Sequence, residues 1–172
     1  MKRLRRVAVV TGVTALLWPA LGAATLEDQV KAAFLLNFAK FVEWPEGTFE
    51  HVRQPVTLCV WAGAETVEVI EAALRGKTVG TRPLRVVGME SPDAHCDMVY
   101  LRGDRDDVMR RFGALEAPGV LSVYETEERL PAGVIRFFID ERKVRFEVDL
   151  DAAERQRLVI SSKLLRVARI AP

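Results

Sequence analysis

His95, Cys96 and Asp97 stand side by side and form the one metal-like cluster of the chain, with the second histidine, His51, far off in sequence. Adjacent side chains rarely converge on one ion, and the C-x-x-C or H-x-x-x-H spacing of a zinc site is missing. The triplet reads as a loop histidine beside a bridged cysteine, and no metal is expected. Two near-pairs of carboxylates, Asp106 with Asp107 and Asp149 with Asp151, could in principle divide acid and base roles. That chemistry needs environments that drive the two pKa values apart. Both pairs fall where helices should begin, and capping accounts for them. No G-x-S-x-G, Walker loop or G-x-G-x-x-G occurs, and the glycines at 76, 80, 88 and 103 are isolated turn residues. No cofactor is expected, and the residues give almost no support to an enzyme.

The first 24 residues read as a targeting segment. MKRLRR supplies four positive charges, an apolar run follows from Val7 to Leu21, and small residues at 22–24 close it. A basic start, a short apolar stretch and a small-residue cleavage site make a secretory signal peptide over residues 1–24. An uncleaved anchor is the alternative, but the run falls short of the roughly 20 residues a span requires and Pro19 interrupts its end. Cleavage after Ala24 leaves 25–172 as one domain of about 148 residues, large enough for a real core. Without the four leader charges, 21 Lys plus Arg face 24 Asp plus Glu, a formal net of −3. No nucleic-acid footprint is present, since that needs a basic excess or patch.

Both cysteines, Cys59 and Cys96, lie in the mature part. In an oxidising compartment an even pair is most simply a disulfide. It would close a loop of about 37 residues, worth roughly 4 kcal/mol in the chain-entropy model. Two buried free thiols or a redox pair are the alternatives. The redox pair is disfavoured by the absence of C-x-x-C spacing.

Stepping along the mature chain, KAAFLLNFAKFVEWP is the densest apolar segment. Leu26, Val30, Ala33, Phe34, Asn37 and Phe41 share one helical face, while Ala32, Leu35, Leu36 and Ala39 lie opposite. Only Lys31 and Lys40 break the ring, so a helix buried on more than one side is expected, ended by Pro45. The uncharged stretch between those lysines is far too short to cross a bilayer. Val56 to Gly63 reads as a buried strand, Ala64 to Leu74 as a helix capped by Gly76, Pro83 to Val87 and Cys96 to Leu101 as strands. A helix from Asp104 through Leu115, with Val108, Phe112 and Leu115 inward, leads to a strand from Val120 to Glu125. VIRFFID and VRFEVDL, joined by Glu141-Arg142-Lys143, read as an antiparallel hairpin. Asp151 and Glu154 have capping-box spacing, and Ser161 could cap a final helix, SSKLLRVARI. Together these give a single-domain α/β fold: a mixed β-sheet with helices on both faces and a C-terminal antiparallel hairpin.

Three features are candidates for recognition. Trp44 sits before Pro45 at a loop, where a large aromatic can anchor an interface, although core burial competes with that role. Asn37 interrupts an apolar face near Phe41 and could bond a neighbouring loop or cross a subunit boundary. Arg142, Lys143 and Arg145 decorate the hairpin, with Arg155 and Arg157 close behind, as a solvated face or a site for an acidic partner.

VKAAFLLNFAKFVEWP, LCV with the later HCDMVYL, and RFEVDLDAAERQRLVISSKLLRVA together resemble the YfiR-like family of periplasmic proteins. The likeness spans nearly the whole mature chain in the expected order. It implies a compact, dimeric α/β domain without catalytic activity, which restrains an inner-membrane diguanylate cyclase by binding the cyclase's periplasmic sensor region. It also implies that an OmpA-like outer-membrane lipoprotein can draw the repressor away and raise cyclic di-GMP. The family's pattern pairs Cys59 with Cys96. A second cysteine pair found in some relatives is missing here, so redox control through it is not expected. A periplasmic small-ligand or cell-wall-fragment binding module is the alternative function.

Overall fold

The computed structural model describes residues 21–88, 95–115, 117–131 and 133–171. The expected signal peptide lies outside the described residues but for its last four, which open the first helix. That helix, α1, runs Leu21–Phe41 and passes directly into a two-residue strand, β1, Val42–Glu43. Then follow β2 (Val56–Trp61), α2 (Ala64–Leu74), β3 (Thr78–Val79), β4 (Arg82–Gly88), β5 (Met98–Arg102) and α3 (Arg105–Leu115). The last third holds β6 (Leu121–Glu125), β7 (Ile135–Asp140), β8 (Lys143–Val148), α4 (Leu150–Arg155), β9 (Val159–Ile160), α5 (Ser162–Leu165) and β10 (Arg169–Ile170).

Eight strands form one mixed sheet in the order β10-β8-β7-β6-β5-β2-β4-β3. β4, β2, β5, β6 and β7 are parallel, and β8 turns back on β7. The chain leaves β2 for β4 on one side, then returns to place β5 on the other. A right-handed crossover in each direction puts the connecting helices on opposite faces. Ile70 and Leu74 of α2 accordingly pack with Leu58 and Val60, whereas Val108 of α3 packs with Cys59, Val99 and Leu101. Alternation along β2 distributes its side chains to the two cores. α1 shares the α2 face, where Phe34 and Phe38 meet Phe137 and Phe146 with ring centroids 4.8–6.1 Å apart.

Several expectations change on contact with tertiary structure. α1 was expected to bury both faces, but Leu26 is 62% and Val30 38% exposed, and Ala33 and Asn37 face outward. The buried stripe is Asp28, Lys31, Ala32, Leu35, Phe38 and Ala39, so Lys31 is inside and not a break in the ring. The cap of α4 is Asp149, whose Oδ1 accepts from the Ala152 N–H at 2.7 Å, in place of the expected Asp151. Ser161 does cap the last helix, but that helix stops at Leu165 because Arg169 and Ile170 leave it to pair with β8. The hairpin turns on Glu141 and Arg142 alone, both at positive φ (47° and 61°), as the twist of a two-residue turn demands. Of the helix after Asp104, the side chains of Phe112 and Leu115 lie outside the described residues.

Candidate functional site

The unusual chemistry of this fold gathers at the carboxyl ends of β5 and β6, under the first half of α1. Lys31 is wholly buried, and its ammonium donates to Glu27 one turn back and to Glu125 Oε2 at 2.7 Å. The same Glu125 oxygen accepts from the Tyr100 hydroxyl at 2.8 Å. Asp28, also buried, accepts from Arg102 Nη1 and from the Thr66 hydroxyl, both at 2.8 Å. Arg102 Nε lies 3.8 Å from Glu125 and links the two halves. α1 thus contributes three charged groups, α2 one hydroxyl, and the strand ends the remainder. A buried charge is tolerated only when paired and hydrogen-bonded, and here each buried one is. The arrangement ties α1 to the sheet and to α2.

Burial pushes the Tyr100 hydroxyl well above its ordinary value, and the charge of Glu125 and the hydrogen bond to it add to the rise. For Arg102 burial works against the charge, but Glu125, Tyr100 and Asp28 outweigh it and hold the guanidinium above its usual value. Tyr124 is raised too, again by burial first. Below the unfolded tyrosine value of about 10 both states keep the proton and the contribution is complete; above it the unfolded chain loses a proton that the fold retains, so stability falls. Urea midpoints between pH 8 and 11.5 should therefore fall less steeply for Tyr100→Phe than for the unaltered protein, with Tyr124 supplying the residual slope. Equal slopes would mean that Tyr100 ionises in the fold as it does unfolded.

Arg102 stands between two clefts. One, about 860 Å³, lies where the strand order reverses between β2 and β5 and is lined by Trp61, Gly63, Val67, Glu68 and Gly88. The other, about 570 Å³, is lined by Glu125, Thr126, Arg136 and Ile139.

The residues singled out by sequence fall elsewhere, in groups at opposite ends of the strands. Cys59 and Cys96 form a disulfide on the α3 face, joining β2 to the approach of β5. The neighbouring Asp97 is buried: its Oδ2 accepts from the Thr57 N–H at 2.8 Å, and His95, three-quarters exposed, stands 3.4 Å from Oδ1. Among the described residues no three metal-ligating side chains converge. Trp44 is half-buried, packs edge-on against Phe49 and donates its indole N–H to the Asp97 carbonyl at 3.3 Å. Phe41 is half-buried and Asn37 exposed, on the same stretch of chain. Asp97 precedes β5, so this group sits at the amino ends of the parallel strands. Arg142 and Lys143 lie at the opposite end, because β7 runs three residues past the level of Glu125 before the hairpin turns. The buried cluster was missed in the sequence; its one local signal is a lysine within an apolar helix, three residues after an aspartate.

Fold and site together define a doubly wound α/β domain with an appended hairpin, whose buried charges are engaged in holding elements together. The chain belongs to the YfiR/HmsC-like family (DUF4154), whose model matches residues 28–169. No curated protein matches it. At the level of the family this is a periplasmic, regulatory and non-catalytic class of protein connected with diguanylate cyclases. No helix among the described residues is long and apolar enough to cross a membrane.

Proposed function

We propose that this protein is exported by its signal peptide and restrains an inner-membrane diguanylate cyclase by binding the cyclase's periplasmic region, so lowering cyclic di-GMP output. The observation that carries the reading is the family match over residues 28–169. Binding, and not turnover, is the activity. Asn37, Phe41 and Trp44 form one contact surface at the amino ends of the strands, and Arg142, Lys143 and Arg145 a second at the hairpin. The protein works as a homodimer, and an OmpA-like outer-membrane lipoprotein competes for it. Titration calorimetry of the mature protein against the purified periplasmic region of such a cyclase is expected to give a micromolar or tighter complex. Trp44→Ala should weaken it about 30-fold, the effect of losing an aromatic anchor of roughly 2 kcal/mol. No heat at about 100 μM of either protein would remove the reading.

A second reading, a periplasmic small-ligand or cell-wall-fragment binder, is favoured by the cleft of about 860 Å³ at the reversal of strand order. Ligands of open α/β sheets settle at such points. A thermal shift with an envelope metabolite, where saturation at 100 times Kd adds about 2.7 kcal/mol, would support it.

A further inference from the structure

Among the described residues the sheet is covered unevenly. On one face α1 and α2 span it, but on the other α3 covers only the β2-β5-β6 part, where Val108 meets Cys59, Val99 and Leu101. The hairpin side of that second face carries Arg136, Phe138 and Asp140 from β7, Lys143, Arg145 and Glu147 from β8, and Arg169 from β10; the register places them together, with Arg136 opposite Glu147, Phe138 opposite Arg145 and Asp140 opposite Lys143. The Phe138 ring is half-buried and has the Arg169 guanidinium 4.3 Å and the Arg136 guanidinium 5.7 Å from its centroid. Glu147 is buried and satisfied by Arg136 at 2.8 Å and Arg129 at 3.2 Å. Arg169 meets Asp140 at 3.8 Å. Lys143 and Arg145 are exposed, and neither makes an ion pair among the described residues.

Among the described residues the edge of the sheet beside those two cations is open. β10 pairs only with Glu147 and Val148, so among the described residues the backbone of Lys143 to Arg145 is paired on the β7 side alone. Asp140, opposite Lys143, is engaged by Arg169, so Lys143 and Arg145 leave a positive excess beside the open edge, a template for an added strand of the opposite charge. Lys143 and Arg145 project from the same face two residues apart, roughly 6.6 Å along the strand. Carboxylates at alternate positions of an extended chain have the same repeat.

We propose that the upper part of β8, with Lys143, Arg145 and the Arg-flanked Phe138 ring, takes an extended acidic segment of a partner protein, with carboxylates at alternate positions. The proposal rests on the binding-protein reading above and adds the partner's local chemistry and the seat it occupies. The intervening residues of that segment fall on the opposite face, beside Val144 and the apolar core it packs against, so a contiguous block of acids of equal charge, which puts carboxylates there too, fits less well.

The probe is a fluorescein-labelled ten-residue peptide alternating Glu and Val, compared with an isomer in which five Glu precede five Val. Anisotropy is read at low salt, where exposed charges are least screened. The alternating peptide is expected to bind at least fivefold tighter than its isomer. Lys143→Gln with Arg145→Gln should weaken it tenfold or more, while Lys40→Gln, on the exposed side of α1, leaves it unchanged. Equal binding of the two isomers, or indifference to the double change, overturns the proposal. So does binding of anionic phosphatidylglycerol vesicles through the same two residues with no peptide bound. If both peptides fail while the cyclase region still binds, this seat is wrong and the broader reading stands; if neither binds, both fall.

Discussion

Lys31→Met should cost about 3 kcal/mol of folding stability, seen as a lower urea midpoint at unchanged slope. The methionine keeps most of the volume, so the loss is electrostatic. Lys31 is fully buried and neutralises Glu125, which also takes the Tyr100 hydrogen bond. Removing one member of a buried pair typically costs 3–5 kcal/mol because the other charge is left without compensation. The low end applies because Glu27 and Glu125 each keep some solvent contact. Combining Lys31→Met with Glu125→Gln removes the stranded charge, and the double variant should regain well over half of the loss. This non-additivity separates a buried ion pair from ordinary packing. A single change costing less than about 1 kcal/mol would show that α1 is held by its aromatic contacts alone.

The second large effect concerns the disulfide. Cys59→Ser and Cys96→Ser should each lower stability by roughly 4 kcal/mol, the chain-entropy value for a loop of 37 residues. The double change should cost little more than either single one, since breaking the bridge is the common event. Denaturant curves under non-reducing conditions measure all three. Simple addition of the two losses would mean that the cysteines stabilise the fold independently. The bridge sits in the smaller of the two cores, with Val99, Leu101 and Val108, so its loss should loosen the α3 face first. Hydrogen exchange resolves that order, because local openings need less energy than global ones.

Some of the fold was legible because it is local. The boundaries of α2 match the sequence reading residue for residue, and Asp104 accepts from the Asp107 N–H at 2.9 Å at the start of α3. Alternation in the two flanking segments likewise marked the hairpin, although its turn residues Glu141 and Arg142 carry no turn signature. What escaped depends on distant partners. Lys31 looks solvent-facing until Glu125, 94 residues on, is folded against it. The orientation of α1 was ambiguous for the same reason: apolar residues surround it, and which side is covered depends on the sheet. β1, β3, β9 and β10 are two residues each, too short to show a period. The clefts beside Arg102 arise from the reversal of strand order, which no local pattern encodes. By sequence Trp44 suits either core or anchor, and its half-burial leaves part of the indole available to a partner.

The most direct test of the central claim is cellular cyclic di-GMP in the source bacterium with this gene deleted and then restored. A brake on a cyclase predicts a rise on deletion that restoration reverses. Restoration with Trp44→Ala, at matched protein level, should leave the signal high. Unchanged cyclic di-GMP on deletion, under envelope stress as well as without it, would contradict the account and leave the small-ligand module as the reading to pursue.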